Sequence, residues 1–257
     1  MRTVRIAAMF SAVLVVASLQ SSSAGAAGAS PGAPGAPSVW APAQKSFLGT
    51  SRSDASRVYF TGYRGVVSEV FYPVLDSVNS VDLQFLVGDV ARTFVDEEKL
   101  QSYSSAPALA PPNRTMRWRV VTENIAHHWR ITKSVFTDPD RNALVLRTTF
   151  NALDGKGVGD FNLYLLHNPA MDNSGANDTS RTLAAGRTML VASQNARASA
   201  LVTSLPWKTQ SGEIMISNGF VGATDGWTDL LAGAADKTMN WSYGSATGGN
   251  VAQMGWL

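Results

Sequence analysis

Apolar and polar residues alternate along most of the chain after residue 57, and turn-forming residues interrupt the alternation at short intervals. A period of two is typical of strands with one buried face. Clusters such as Asp138-Pro139-Asp140-Arg141 mark reversals between strands. The pattern predicts strands over residues 57–61, 66–72, 82–87, 116–122, 128–136, 143–150, 161–167, 188–192, 198–203 and 214–217.

Helical periodicity is scarce, and only residues 224–232 have the pattern of a short helical turn. Many short strands separated by Gly and Pro favour an all-β fold, a large antiparallel β-sandwich. Residues 250–257 have the pattern of a strand that stops at the chain end. Because such a strand would leave a sheet edge unpaired, we expect the sandwich to lack its last strands, as in a fragment or a premature-stop product.

The N-terminus has the three-part pattern of a secretory signal peptide over residues 1–26: a basic start, an apolar run over 6–19 and small residues near a cleavage site. The alternative is a membrane anchor, but the apolar run is shorter than the roughly 20 residues that a span needs. Residues 27–42, rich in Ala, Gly, Pro and Ser, predict a flexible or extended leader. The sandwich domain then covers residues 43–257. We therefore expect a secreted protein with no membrane segment after cleavage.

Composition excludes several classes of function. The 257 residues contain no Cys, which rules out disulfides, thiolate metal sites and cysteine nucleophiles. The net charge is only +2 and no Lys/Arg cluster stands out, so no nucleic-acid partner is expected. The chain has no phosphate-binding loop, dinucleotide fingerprint, zinc-protease motif or nucleophile elbow.

The glutamates are the residues to weigh as acid–base pairs, because hydrolysis of a glycosidic bond needs two carboxyl groups across it. Glu97 and Glu98 are adjacent and would point apart on a strand. Glu69 lies in mid-strand, where it should face solvent or pair with a cross-strand Arg. Solvated faces are the expected setting for all of them, so no catalytic residue is predicted.

Oxygen-bearing side chains surround a glycine in residues 172–178, as they do in calcium-binding loops. Asp172, Asn173 and Asp178 are therefore candidate calcium ligands. The segment lacks the EF-hand spacing and its closing Glu, and a metal-free turn rich in Asn and Asp is the alternative. No other cofactor is expected.

Tryptophans in loops are candidate sugar contacts, since an aromatic ring matches the flat face of a pyranose. Trp118 and Trp129 lie on predicted strands and are expected in the core. The tryptophans in loop-like or terminal contexts are Trp40, Trp207, Trp227, Trp241 and Trp256.

Several strings along the chain, in order, resemble one family. They are residues 40–45, 65–73 with 82–87, 133–141, 168–173, Ser217 with 225–230, and 249–253. Together they resemble the N-terminal domain of bacterial glucoamylases and glucodextranases of glycoside hydrolase family 15. The resemblance runs from about residue 37 to residue 257.

The resemblance implies a large antiparallel sandwich, called a supersandwich, that precedes a linker and an (α/α)6 barrel. It also implies that the catalytic glutamates of this inverting family belong to the barrel, so none is carried over to this chain. The expected role is a non-catalytic domain that packs on a barrel acting on α-glucan, whether starch, dextran or oligosaccharides. Two alternatives stay open: an autonomous sugar-binding module and a remnant of a truncated gene.

The segment 71–82 joins two predicted strands through a loop that contains Asp and Asn, and such loops carry function more often than strands do, so it is the expected rim of a substrate cleft. A plain connection is the alternative. With the loop tryptophans, the candidate carbohydrate contacts are Tyr72, Asp76, Asp82, Trp207 and Trp227.

Overall fold

The computed structural model describes residues 28–104, 107–109, 116–233 and 236–257. The predicted signal peptide, residues 1–26, lies outside the described residues. In chain order the strands are β1 (Phe47–Thr50), β2 (Tyr59–Tyr63), β3 (Val66–Phe71), β4 (Val78–Asp89), β5 (Val95–Glu97), β6 (Ser102–Ser104), β7 (Ala108–Leu109), β8 (Trp118–Asn124), β9 (Trp129–Thr137), β10 (Leu144–Ala152), β11 (Phe161–Pro169), β12 (Asp178–Ala184), β13 (Thr188–Gln194), β14 (Arg197–Leu201), β15 (Thr209–Gln210), β16 (Glu213–Ile214), β17 (Ile216–Phe220), β18 (Ser245–Gly249) and β19 (Val251–Trp256).

Helices are few and short. They are α1 (Glu98–Gln101) and α2 (Gly226–Thr228), the second followed directly by a π turn over Asp229–Gly233. Short 3-10 turns lie at Val158–Asp160 and Met171–Asn173. Within the described ranges, no helix is long and apolar enough to cross a membrane.

The strands form the predicted antiparallel sandwich. A large sheet has the order β1-β2-β3-β4-β11-β19-β17, with β5 beside β4. A second sheet has the order β10-β9-β8-β6, with β7 beside β8, and a third has the order β14-β13-β12-β18. One apolar core takes side chains from all three sheets, including Phe85, Ile131 and Leu190, which are fully buried. Both smaller sheets therefore pack against the same inner face of the large one.

The last strand is not an edge strand, which corrects the expectation of missing partners. Strand β19 lies between β11 and β17 and pairs with both. Gly255 lies opposite Leu165 of β11, and Val251 lies opposite Phe220 of β17. Residues 253–255 are paired on both sides, so this strand does not leave the unpaired sheet edge that its sequence pattern predicts.

A bulge in β3 changes the facing of its residues. Thr61 pairs with Glu69, but the next residue of β2, Gly62, pairs with Val67. Ser68 therefore has no residue opposite it on β2. An extra residue shifts the alternation by one. Val67 and Val70 therefore both enter the core although they are three residues apart, and Glu69 points to the outer face.

The leader segment is packed, contrary to the expectation of a flexible or extended tail. Ala29 forms a bridge with Ser245, and the backbone N–H of Ala36 donates to the Val221 carbonyl at 2.7 Å. Gly35 has φ +75°, and a Cβ there would lie 2.9 Å from the Asn250 carbonyl oxygen, so only glycine fits this close approach. The leader thus forms part of the outer surface of the large sheet.

The outer face of the large sheet is largely covered. A second apolar cluster lies on it, formed by Leu86, Tyr164, Leu166, Met215, Leu230, Met239, Ala252 and Met254. The segment that contains α2 supplies Leu230, and the leader lies further along the same face. Between these two coverings a groove stays open.

Candidate functional site

The floor of the groove is a polar cluster on the outer face of β4 and β5. The amide nitrogen of Gln84 donates to Asp82 Oδ2 at 3.0 Å and to Glu97 Oε1 at 2.8 Å. Lys99 in α1 donates its ammonium to Asp82 Oδ2 and lies 3.8 Å from Glu97 Oε1. The backbone N–H of Lys99 donates to Gln84 Oε1 at 3.1 Å, which fixes α1 against the strand. Two carboxylates therefore share one cation.

Asp82 is the member of this cluster whose charged form is destabilised by burial. Its side chain is almost completely buried, and burial raises its pKa to about 6 in spite of the opposing effect of Lys99. The neighbouring carboxylates Glu97 and Glu98 raise the pKa further. Oδ1 of Asp82 is buried and has no hydrogen-bond partner among the described residues.

Asn250, the residue between β18 and β19, holds the leader over the groove. Its backbone N–H donates to the Pro34 carbonyl at 2.8 Å, and its side-chain nitrogen donates to the Ala36 carbonyl at 2.6 Å. Oδ1 of Asn250 is also buried with no partner among the described residues. This is the second acceptor of this kind on the groove lining.

Trp227 forms an aromatic wall and is placed by the helix cap of α2. Asp225 accepts from the Thr228 N–H at 2.9 Å and from the Thr228 hydroxyl at 2.7 Å, which fixes the first turn. Gly226 lets this turn approach the sheet, because a Cβ there would lie 2.5 Å from Met254 Cε. The Lys99 ammonium lies 6.0 Å from the centroid of the Trp227 ring. This contact connects Trp227 to the polar cluster at the floor of the groove.

The groove has a volume of about 400 Å³. That volume lies in the range of small-molecule sites. Trp40 in the leader, 41% exposed, and Tyr63 in β2 supply further aromatic surface. The residues that carry its chemistry are Trp40, Tyr63, Asp82, Lys99, Trp227 and Asn250.

A second ion pair lies on the other side of β4, in the core between the sheets. Glu98 accepts from the Lys133 ammonium, from the Thr122 hydroxyl and, at 3.1 Å, from the Phe85 N–H. The side chains of Glu98 and Lys133 are 0% and 2% exposed. Burial lowers the pKa of Lys133, although Glu98 opposes the shift. Glu97 and Glu98 do point apart, as their adjacency predicts.

The expectation of solvated faces for the glutamates is wrong for three of the five. Glu97 and Glu98 are buried, and Glu69 pairs with Lys45 at 2.6 Å rather than with a cross-strand Arg. Glu123 is held by His127 and Arg130, each at 2.6 Å, and Glu213 is exposed on the β15–β16 hairpin. Period two places a residue on a face but does not reveal that both faces of β4 are covered.

The structure brings together only two of the five candidate carbohydrate contacts, Asp82 and Trp227. Asp82 belongs to strand β4 and not to a loop, because β4 begins at Val78. Trp207 is in the core and not in an open loop: it is 6% exposed, and its indole N–H donates to the Thr188 carbonyl at 3.1 Å. A Cβ on Gly255 would lie 2.5 Å from the Trp207 ring, so that face is covered as well.

The other two candidates lie away from the groove, in and beside the β3–β4 connection. The Tyr72 ring packs against the core and has the Arg57 guanidinium 5.6 Å above it. Asp76 is exposed, and its backbone carbonyl accepts from the Asn173 side chain at 2.7 Å. Neither is among the residues that line the groove.

The candidate calcium ligands are engaged within the chain. Asn173 Oδ1 accepts from the Val78 N–H at 2.6 Å, and Asp172 Oδ2 accepts from Asn195 at 2.7 Å. Asp178 is buried and accepts from the Met171 N–H at 3.1 Å; burial raises its pKa to about 7. The described ranges contain no group of three or more His, Cys, Asp or Glu suited to a metal. Calcium binding here stays a prediction, and an ion would have to displace these contacts.

Sequence reasoning missed Lys99, Tyr63 and Asn250 as groove residues. Lys99 lies next to the Glu97–Glu98 pair, but its partner Asp82 is 17 residues earlier. Asn250 and the leader are more than 200 residues apart, so no local pattern joins them. Trp40 belongs to the group of loop tryptophans, and its aromatic side chain in a loop-like segment is the sequence signal that singles it out.

The fold and groove define a class of module, a β-sandwich domain with a surface groove. A family model described as "Glucodextranase, domain N" matches residues 30–257. The chain belongs to this family.

Two glucoamylases are similar to the chain. A curated glucoamylase of Clostridium sp. (strain G0005) is 32% identical over 210 residues, which is 81% of this chain and 28% of that protein. The crystal structure of a bacterial glucoamylase complexed with acarbose is similar with a TM-score of 0.82 and 30% identity, over 91% of this chain and 33% of that one. The chain therefore spans about a third of the length of these relatives.

Proposed function

We propose that the chain is the secreted, non-catalytic N-terminal domain of a glucoamylase- or glucodextranase-type hydrolase, which packs on a catalytic barrel and contacts α-glucan. The observation that carries this proposal is the family match over residues 30–257, combined with coverage of only about a third of two glucoamylases. The catalytic activity and the substrate of such relatives are assigned to the parent protein of this chain only by this proposal.

The positions of the glutamates support a non-catalytic role. An inverting hydrolase needs two carboxyl groups about 6.5–9.5 Å apart across an open cleft. Glu69, Glu97 and Glu98 are held in buried polar contacts. Glu123 is bound by His127 and Arg130. These engagements leave Glu69, Glu97, Glu98 and Glu123 without the open setting that general acid–base work requires.

Association with a barrel is tested by adding the purified chain to the catalytic region of a related glucoamylase made without its own N-terminal domain. We expect a one-to-one complex in sedimentation velocity and a higher melting temperature of the catalytic region, because a shared interface stabilises both parts. An unrelated β-sandwich of similar size is the control. No complex at micromolar concentrations would contradict packing on a barrel.

Catalysis is tested by incubating the chain alone with maltotriose and isomaltotriose and measuring released glucose. We expect no release above that of buffer. Turnover that survives further purification would contradict the non-catalytic role.

Export is tested separately, by expressing residues 1–257 in a bacterium and sequencing the N-terminus of the protein recovered from the medium. Retention of residues 1–26 would contradict cleavage.

A further inference from the structure

Two residues that line one groove, Asp82 and Asn250, each carry a buried acceptor atom to which no described residue donates. Oδ1 of Asp82 and Oδ1 of Asn250 are both buried, and neither has a hydrogen-bond partner among the described residues. The residues themselves are 4% and 2% exposed. Leaving such an acceptor unsatisfied is unfavourable, more so for a charged group. A ligand that carries hydroxyl groups would satisfy both.

The aromatic walls of the same groove indicate which class of ligand fits above those acceptors. Trp40, Tyr63 and Trp227 all line it, and Trp40 is 41% exposed. Aromatic rings offer apolar faces with polar rims. A pyranose ring has the complementary form, with C–H groups on its faces and hydroxyl groups around its edge. Aromatic walls with buried acceptors therefore fit a sugar ring.

The charges around the groove disfavour an ion as ligand. Lys99 already lies between Asp82 and Glu97, so the carboxylate charge that a cation would seek is partly neutralised. An anion would meet those two carboxylates at the floor. A neutral ligand avoids both costs, and its hydroxyl groups can donate to Asp82 and accept from Lys99.

We infer that this groove binds a glucosyl unit of an α-glucan, with the ring held between Trp40 and Trp227 and its hydroxyl groups on Asp82 and Asn250. The inference rests on the proposed function in that the sugar is taken from α-glucan. It goes further in placing the contact between the leader and α2, on a surface that the chain builds without a barrel.

The test is a titration of the chain with maltotriose and isomaltotriose, followed by nuclear magnetic resonance of the seven indole N–H groups and by calorimetry. We expect the signals of Trp40 and Trp227 to move, and those of Trp118 and Trp207 to stay, because the latter two donate to the Leu48 and Thr188 carbonyls. The variant Trp40→Ala should weaken binding about ten-fold.

Two further variants locate the site. Asp82→Asn keeps the shape of the side chain and should weaken binding through loss of the carboxylate acceptor. Leu75→Ala removes an exposed apolar side chain, 61% exposed, outside the groove and should leave binding unchanged. Because Trp40 and Leu75 are both at the surface, circular dichroism should show both variants folded.

Each outcome decides the inference. Weaker binding for Trp40→Ala and Asp82→Asn, but not for Leu75→Ala, supports it. Sugar binding that Trp40→Ala leaves unchanged would place the contact elsewhere and overturn the groove, while the proposed carbohydrate contact would stand. No binding of either sugar would overturn the groove and the carbohydrate contact together, whereas association with a barrel is decided by the separate complex experiment.

Discussion

Two lysine–carboxylate pairs lie on opposite faces of β4, and they differ in how completely the protein encloses them. In the core, Glu98 accepts from Lys133, from Thr122 and from a backbone N–H, and both charged side chains are almost fully buried. On the outer face, Lys99 is 22% exposed and its partner Asp82 keeps one oxygen without a partner among the described residues.

The difference distinguishes the Glu98–Lys133 pair, which is fully enclosed, from the Asp82–Lys99 pair, which lies at the floor of the groove. A buried pair is tolerated only when hydrogen bonds satisfy the remaining atoms, which is the situation of Glu98. Asp82 has the same burial but an incomplete set of donors, and an open groove lies above it. The incomplete pair is therefore the one with capacity left for a ligand, although the adjacent residues Glu97 and Glu98 contribute to both.

The largest effect is expected for Lys133→Met, which breaks the enclosed pair. The methionine keeps the apolar stem, but Glu98 loses its cation inside the core. Removing one partner of a buried pair costs about 3–5 kcal/mol. Chemical denaturation at pH 7.5 measures the loss of unfolding free energy, and Lys45→Met, which breaks a partly exposed pair, is the control. A loss under about 1 kcal/mol would mean that the core pair is not enclosed as described.

A pH-dependent effect is expected at Asp178, a buried carboxylate that no lysine or arginine neutralises in the salt bridges of the described residues. Its pKa is raised from 3.8 to about 7, so between these values the folded state binds more protons than the unfolded one. Its contribution to stability therefore falls as pH rises through that window. Asp178→Asn should be more stable than the parent by about 2–4 kcal/mol at pH 7.5.

That advantage should disappear by pH 4, where Asp178 is protonated in the folded parent. Denaturation curves at both pH values measure it, with Asp172→Asn, a half-buried neighbour in the same turn, as control. A constant difference between the variant and the parent at both pH values would contradict the raised pKa. If calcium stabilises the parent at pH 7.5 but not Asp178→Asn, the carboxylate binds the ion and the calcium prediction stands.

The double variant Glu98→Gln with Lys133→Met sharpens the comparison by removing both charges. The Gln oxygen can still accept from the Phe85 N–H, and its amide N–H can donate to the Thr122 hydroxyl oxygen. We expect the double variant to recover about 2 kcal/mol relative to Lys133→Met, since neighbouring residues couple by up to about 3 kcal/mol. If the two losses simply add, the destabilisation comes from packing and not from an uncompensated charge.

The strands and the class of fold follow from local pattern, whereas the two ion pairs do not. Alternation places residues 129–137 correctly, because Trp129, Ile131 and Val135 face the core in one phase. Lys133 occupies the same phase and enters the core with them, which depends on a glutamate 35 residues earlier. The bulge at Ser68 is likewise set by pairing between strands and not by composition.

The groove is harder to predict than the strands, because three distant segments form it. The leader, β4 with α1, and α2 contribute Trp40, Asp82 with Lys99, and Trp227, and these segments are separated by up to about 190 residues of chain. Residue type alone selected Trp227 and Asp82, but it also selected Trp207, which the core requires. Burial depends on what covers a residue, and a periodicity of two carries no information on that covering.

The smallest effect is expected for Lys99→Met, the counterpart of Lys133→Met on the outer face. The methionine stem can still pack on Trp227, and water in the groove can reach Asp82. Asp82 can also take up a proton, because its pKa is already raised to about 6 and loses the opposing effect of Lys99. The other charged groups that act on Asp82 are Glu97 and Glu98, and both raise its pKa. We therefore expect a loss of about 1 kcal/mol at pH 7.5.

At pH 5 the loss for Lys99→Met should be smaller still, because Asp82 is then largely protonated in the variant and no charge is left without a partner. Chemical denaturation at both pH values measures this, in the same series as Lys133→Met, whose loss at pH 7.5 should be the larger because Glu98 is fully buried. Equal losses for the two lysine variants at pH 7.5 would show that the outer pair is as enclosed as the inner one. The distinction on which the sugar-binding groove depends would then fail.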